Sequence, residues 1–127
     1  MIEALFNQSG YVATKKMMDA TALRHEAIAS NLANIETPNY KRVDVATSFQ
    51  DELKAAIGAR DTSKVSSLSP VLAEDTTAVA ANRDGNTVQL ESELLKLNQN
   101  TLAHTLETQL VTGTLLKLRL AITGRSS

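Results

Sequence analysis

Leu90-Glu91-Ser92-Glu93-Leu94-Leu95-Lys96-Leu97-Asn98-Gln99-Asn100-Thr101-Leu102 opens the stretch that decides the fold. From Leu90 one line runs through Leu94, Leu97, Thr101, His104, Thr108, Val111, Leu115, Leu118 and Ile122, with spacings that alternate between four and three. Such a line predicts a long helix with a coiled-coil-type seam. Leu95, Leu102, Leu106, Leu110, Leu116 and Leu120 add a second apolar strip. Glu91 and Glu93 near the start, and Lys117, Arg119 and Arg125 near the end, suit the helix dipole. Upstream, Asp84-Gly85 makes a turn, and Asn86 with Gln89 three residues later reads as a capping box. As one helix, residues 88–122 span roughly 50 Å. A compact domain of this size has a radius of gyration near ~14 Å, so the helix needs neighbours along its length. The side chains agree. Between Leu97 and Leu116 the only formal charge is Glu107. Amides and hydroxyls fill the positions where a water-facing helix normally carries Lys and Glu. Contact on several sides follows, and with it many copies packed around one another. Gly113 inside this helix reads either as a tolerated glycine or as a point of close helix approach.

Working outward, residues 11–35 form a second helical pattern of roughly 37 Å. One stripe holds Met18, Thr21, His25, Ile28, Leu32 and Ile35; the stripe beside it holds Ala13, Met17, Ala20, Ala27 and Asn31. Its small residues allow close helix packing. The first ten residues could extend this helix, with Gly10 as a weak point. Thr37-Pro38-Asn39-Tyr40 then stops it: the residue before a proline leaves helical geometry, and Pro and Asn suit the two central positions of a turn. Residues 40–49 read as extended chain, followed by a short helix capped by Ser48 with Phe49, Leu53 and Ile57 on one face. From about residue 58 to residue 86 the chain is rich in Ser, Thr and Asp; short β segments around Val65 and Val79, or disorder in the free monomer, are both open at this point. The fold is therefore mainly α: an N-terminal unit (1–57), a flexible or short-β linker (58–86) and a long C-terminal helix (87–127), with the two long helices pairing in a bundle.

Composition narrows the function. Aromatics are 3% of the residues, so Leu, Ala, Val, Ile and Met must make the core, which favours helix on helix. A net charge of −1 offers no field toward nucleic acid, and the lack of cysteine excludes disulfides and thiolate metal sites. No apolar window is long enough to span a membrane, and no secretory signal is visible, which on composition alone places the chain in the cytoplasm. His25 and His104 lie on apolar stripes without partners at ligand spacing, so packed core histidines are the expectation and no metal or cofactor is. Asp51-Glu52 point apart on a helix, residues 82–86 lack the carboxylates of a calcium loop, and Asn7-Gln8-Ser9 is a weak glycosylation triplet. No nucleophile–base pairing is present, so no enzyme is expected.

Ser30-Asn31-Leu32-Ala33-Asn34-Ile35-Glu36-Thr37-Pro38-Asn39-Tyr40-Lys41-Arg42 resembles the N-terminal signature of the flagellar axial proteins, the family of rod, hook and hook-associated subunits. The family pattern ends a helix in Asn-(Leu/Ile)-Ala-Asn and continues Thr-Pro-Gly-Tyr. Asn39 stands where the family usually has Gly, and Asn tolerates the same left-handed backbone. The short length and the segment from Asp84 to Glu91 resemble a short proximal-rod member. The resemblance implies export through the flagellar type III apparatus without a cleaved signal, assembly into the periplasmic rod of the basal body, and contact with itself, other rod proteins, the adaptor FliE, the MS-ring protein FliF and the export gate. Torque transmission to the distal rod would be its task. The expected assembly interface comprises Met18, Ile28, Asn31, Leu32, Asn34, Ile35, Leu90, Leu94, Leu97, Leu102, Val111, Leu115, Leu118 and Ile122, with Thr37, Pro38, Asn39 and Tyr40 as the family turn. A monomer partly unfolded until assembly is expected. Another short rod protein, or a cytoplasmic helical-hairpin adaptor or chaperone, are the alternatives.

Overall fold

A computed structural model describes residues 9–80 and 82–124. The readings of residues 1–8, including most of the Asn7-Gln8-Ser9 triplet, and of Arg125 fall outside them. Two long helices dominate: α1 (Ser9–Ala33) and α4 (Leu90–Thr123). They pack against each other over much of α1. Asn31 reaches Glu93 and Thr21 reaches Glu107, so the pair is antiparallel. At 34 residues, α4 is roughly 51 Å long, about 14 Å longer than α1 over the described residues.

The chain between them folds back on α1. β1 (Val43–Val45) follows the corner, then α2 (Thr47–Gly58), α3 (Thr62–Ser67) and β2 (Leu72–Glu74). β1 and β2 pair antiparallel with Val43 opposite Glu74, Asp44 opposite Ala73 and Val45 opposite Leu72. Two flanking bonds lengthen this ribbon: Ala46 N–H to the Val71 carbonyl and Asp75 N–H to the Arg42 carbonyl. The α2–α3 junction is a Schellman turn with Arg60 at φ 55 in place of the usual glycine. Asp61 N–H bonds the Ala56 carbonyl and Arg60 N–H that of Ile57. Asp61 then caps α3 by accepting from Lys64 N–H at 3.0 Å, so one residue closes one helix and starts the next.

The core is small. Ala13, Ala20, Val45, Phe49, Leu53, Ala56 and Val65 cluster, with Val12, Leu23 and Leu68 at the edge. The small-residue stripe of α1 is largely buried: Ala13, Ala20, Ala27 and Asn31 are enclosed while Met17 is exposed, and Thr21 and Ile28 of the neighbouring stripe are enclosed too. Alanine at these positions brings α2 and α3 close to the α1 axis, as the sequence indicated.

Several local expectations are corrected. Val65 lies in α3, because the Asp61 cap nucleates a helical turn there, and the second strand is at residues 72–74; Val79 is exposed and unpaired in any strand. Ser48 is inside α2, whose N-cap is Ala46 with no side-chain bond. Ile57 is exposed and Ala56 takes its place on the buried face. The start of α4 has no capping box: Gln89 is the N-cap residue and makes no side-chain cap. Both histidines are exposed, so neither is a core residue, although His104 Nδ1 stands 3.5 Å from the Thr21 hydroxyl. Among the described residues nothing stands within 4 Å of where a Gly113 side chain would be, so none of their helices approaches it closely. No helix among the described residues is long and apolar enough to cross a membrane.

Candidate functional site

The Asn31–Tyr40 corner and the Asp84–Val88 segment, far apart in sequence, form one hydrogen-bonded clamp. α1 ends because Asn34 folds its side chain onto the Ser30 carbonyl at 2.8 Å, and because Pro38 follows. Tyr40 N–H bonds the Thr37 carbonyl, which closes the turn with Pro38 and Asn39 at its centre. Asn39 has φ 59, the left-handed geometry for which the family pattern uses glycine. The carbonyls of the turn that follows α1 need donors. Asn86 supplies them: it is fully buried, and its Nδ2 donates to the carbonyls of Asn34 (2.8 Å), Ile35 (3.1 Å) and Thr37 (2.8 Å). Its Oδ1 accepts from Val88 N–H at 2.8 Å. Around this hub, Asn39 N–H bonds the Asp84 carbonyl, Thr87 N–H bonds the Tyr40 carbonyl, and the Thr87 hydroxyl accepts from Arg42 N–H. Gly85, at φ 78, is in a backbone conformation that strains any side chain, and a Cβ there would stand 2.5 Å from Asn39 Oδ1, so the Asn39 side chain would have to shift. Asn31 completes the corner by holding β1 at both ends of one residue, Nδ2 to the Val43 carbonyl and Oδ1 from Val43 N–H.

Arg42 is the electrostatic centre of the clamp. Its side chain is 4% exposed and bonds Glu93, Asp44 and Asp75. Glu93 is itself fully buried at the first turn of α4. Burial works against the Arg42 charge, but its bonds to Glu93 and Asp44 outweigh that and hold the guanidinium pKa above its ordinary value. Asp44 is also opposed by burial, yet bonds from Arg24, Val45 N–H and Arg42 keep its carboxyl below the usual range. Asp75 is lowered chiefly by the Thr77 hydroxyl, with Arg42 contributing. Removing the arginine would strand a buried carboxylate.

The face of α4 turned to α1 is polar. Its three buried residues are Glu93, Asn100 and Glu107, seven apart. Asn100 Nδ2 donates to the Thr21 carbonyl at 2.8 Å, and the Thr21 hydroxyl donates to Glu107 Oε2 at 2.9 Å. Burial raises the Glu107 pKa, partly offset by the Thr21 bond and by the charges of His104 and Arg24. The leucine line read from the sequence as the seam therefore does not face α1 as a whole. Leu97, Val111 and Leu118 are half-buried beside the polar line, whereas Leu90, Leu94, Leu115 and Ile122 are exposed. On α1, Ile28 and Asn31 are buried and Met18 and Leu32 are half-buried; Asn34 and Ile35, just past its end, are half-buried. In the turn, Thr37, Pro38 and Asn39 are exposed and Tyr40 is half-buried.

The second strip is the open one. Leu95, Leu102, Leu106, Leu110, Leu116 and Leu120 are 41–71% exposed, with Leu102 at the maximum. At about 100° per residue, Leu95, Leu102 and Leu116 lie roughly opposite the polar line. Since Glu107 points inward, this outer face has no formal charge from Leu97 to Leu116. Sequence reasoning missed Arg42, Thr87, Glu93, Asn100 and Glu107 as structural centres; the seven-residue spacing of the last three was the available signal.

The end of α1 and the Asn-Ile-Glu-Thr-Pro-Asn-Tyr corner carry the mark of flagellar rod subunits: the family model described as "Flagella basal body rod protein" matches residues 18–41. The flagellar basal body rod protein FlgB of Borrelia hermsii is 31% identical over 113 residues, covering 75% of this chain and 82% of that protein. FlgB of Aquifex aeolicus is 31% identical over 116 residues, 88% of this chain and 91% of its own. The chain belongs to the FlgB family of flagellar basal body rod proteins. That family is structural rather than an enzyme class, and it belongs to the flagellar basal body.

Proposed function

We propose that the chain is a building block of the proximal rod, stacked in many copies through the outer face of α4, and that it links the MS ring and export gate to the distal rod so that torque passes outward. The observation that carries this is the uncharged leucine strip on a helix longer than its partner. Burying each such leucine is worth ~1.5–3 kcal/mol, which a lone chain forgoes. Family membership supports assembly with other rod proteins. FliE, FliF and the export gate are the neighbours we assign to the base, and passage through the flagellar exporter as an unfolded chain without a cleaved signal brings the subunit to the periplasm.

On this reading the clamp sets the angle at which the chain leaves the helix pair, and the interface residues Met18, Leu32, Ile35, Leu94, Leu102, Leu115 and Ile122 meet neighbouring copies. The exposed leucines favour this over a cytoplasmic adaptor, which would cover them within a small dimer. Leu102→Asp tests the reading. The purified variant should keep its helix content and melting temperature, because Leu102 touches little within the chain, while cells carrying it build no complete rod and do not swim. A normal hook–basal body containing the variant would refute helix packing through this face. Mass spectrometry of washed hook–basal bodies should find the native chain with its N-terminus intact.

A further inference from the structure

Leucines occupy α4 on nearly every side, yet the side laid on α1 is its most polar line. Simple apolar collapse of a free chain would do the opposite and turn the Leu102 strip inward. The line is not arranged for greatest stability either: two carboxylates and an amide are taken out of water on this face, a desolvation cost that leucine would avoid. What Glu93, Asn100 and Glu107 do supply is uniqueness. Each finds its partner (Arg42, the Thr21 carbonyl, the Thr21 hydroxyl) in one rotational setting of α4 only. The clamp at Asn86 already fixes where α4 begins, so sliding is limited at that end and rotation about the helix axis is the freedom left.

We propose that Glu93, Asn100 and Glu107 form a rotational lock, which holds α4 with its leucine strip facing outward before any partner arrives. Buried polar groups that specify one arrangement at the expense of stability are known from helix pairs in general. The lock deepens the assembly reading by explaining how the strip stays presented. It concerns the free chain, however, and is tested there, so its failure and that of the rod reading are separable.

The chain has no cysteine, which makes single introduced thiols clean probes. Leu102→Cys reports the outer face and Ala103→Cys the half-buried flank beside α1. Each is placed in the native chain and in the Asn100→Leu/Glu107→Leu background, and maleimide labelling rates are measured on dilute monomer. With the lock intact, the thiol at 102 reacts fast and that at 103 slowly. Without it, labelling at 102 should fall by about tenfold and labelling at 103 should rise, as the helix turns its leucines inward. Unchanged rates at both positions, or rates that move in the same direction at both, would overturn the proposal. Circular dichroism checks helix content; should the double variant lose it, the single Asn100→Leu background carries the same comparison and the same refuting result.

Discussion

Replacing Asn86 by alanine should open the clamp, and its cost can be worked from the contacts. The amide has two hydrogens and serves three carbonyls, those of Asn34, Ile35 and Thr37, so one hydrogen is shared. Its oxygen serves Val88 N–H. Three full bonds are thus at stake at a fully buried residue. Leaving a buried polar group without a partner costs ~1–3 kcal/mol each, but alanine also frees a small space that water can enter, so a net loss of about 3 kcal/mol is the reasoned value. Against a domain stability of ~5–15 kcal/mol this is a large share. Urea titration of the purified chain followed by circular dichroism would read it, with a melting temperature lower by roughly 10 °C as a second measure. Asn86→Asp should do no better than alanine, since a carboxylate offers no donor to three carbonyls and repels them. A loss below about 0.5 kcal/mol for Asn86→Ala, within the range of ordinary surface substitutions, would show that the corner holds without its hub and refute the clamp.

Three further outcomes are expected. Gly85→Ala should destabilise the chain by about 1–3 kcal/mol, since its φ of 78 and the contact with Asn39 Oδ1 both oppose a side chain; adding Asn39→Gly should recover part of the loss, as thermal melts of the single and double variants would reveal. Arg42→Ala should cost ~3–5 kcal/mol by stranding Glu93, more than Asp75→Ala, which removes one partly exposed partner; urea midpoints would rank them. For pH, Asp44 and Asp75 are held below the usual carboxylate range, so their stabilisation is present above that range and disappears as pH falls through their folded values. Glu107 is raised, so its contribution is present in acid and is lost as pH rises through its folded value; Glu107→Gln keeps an acceptor for Thr21 and should remove that part of the fall in melting temperature as pH rises above the usual carboxylate range.

Much of this architecture can be read from the residues. Both long helices, the stop at Thr37-Pro38 and the small-residue face of α1 follow from spacing and backbone preference, which act locally. The facing of α4 does not. With leucines distributed around the helix, periodicity admits several seams of similar apolar strength, and the choice falls to polar partners remote in sequence: Glu93 meets Arg42, and Glu107 meets Thr21. Asn86 was misread for a related reason. An Asn before a helix looks like a cap, but here the carbonyls it serves belong to the corner after the other helix, 49–52 positions away. Val65 shows the reverse case, where a β-branched residue is helical because Asp61 caps the turn and the pocket under α3 encloses it. The corner was recognisable by resemblance, while its partner segment gave no sign of what it binds.

The bare outer face of α4 has a bearing on kinetics and on medium. Between Leu97 and Leu116 it presents no ion that salt could screen, so contacts made there keep their strength in dilute and concentrated electrolyte alike. The same neutrality removes any long-range pull on an approaching subunit. On the proposed packing, capture through this surface would be decided at touching distance, by fit, and a subunit arriving misaligned would gain nothing from charge.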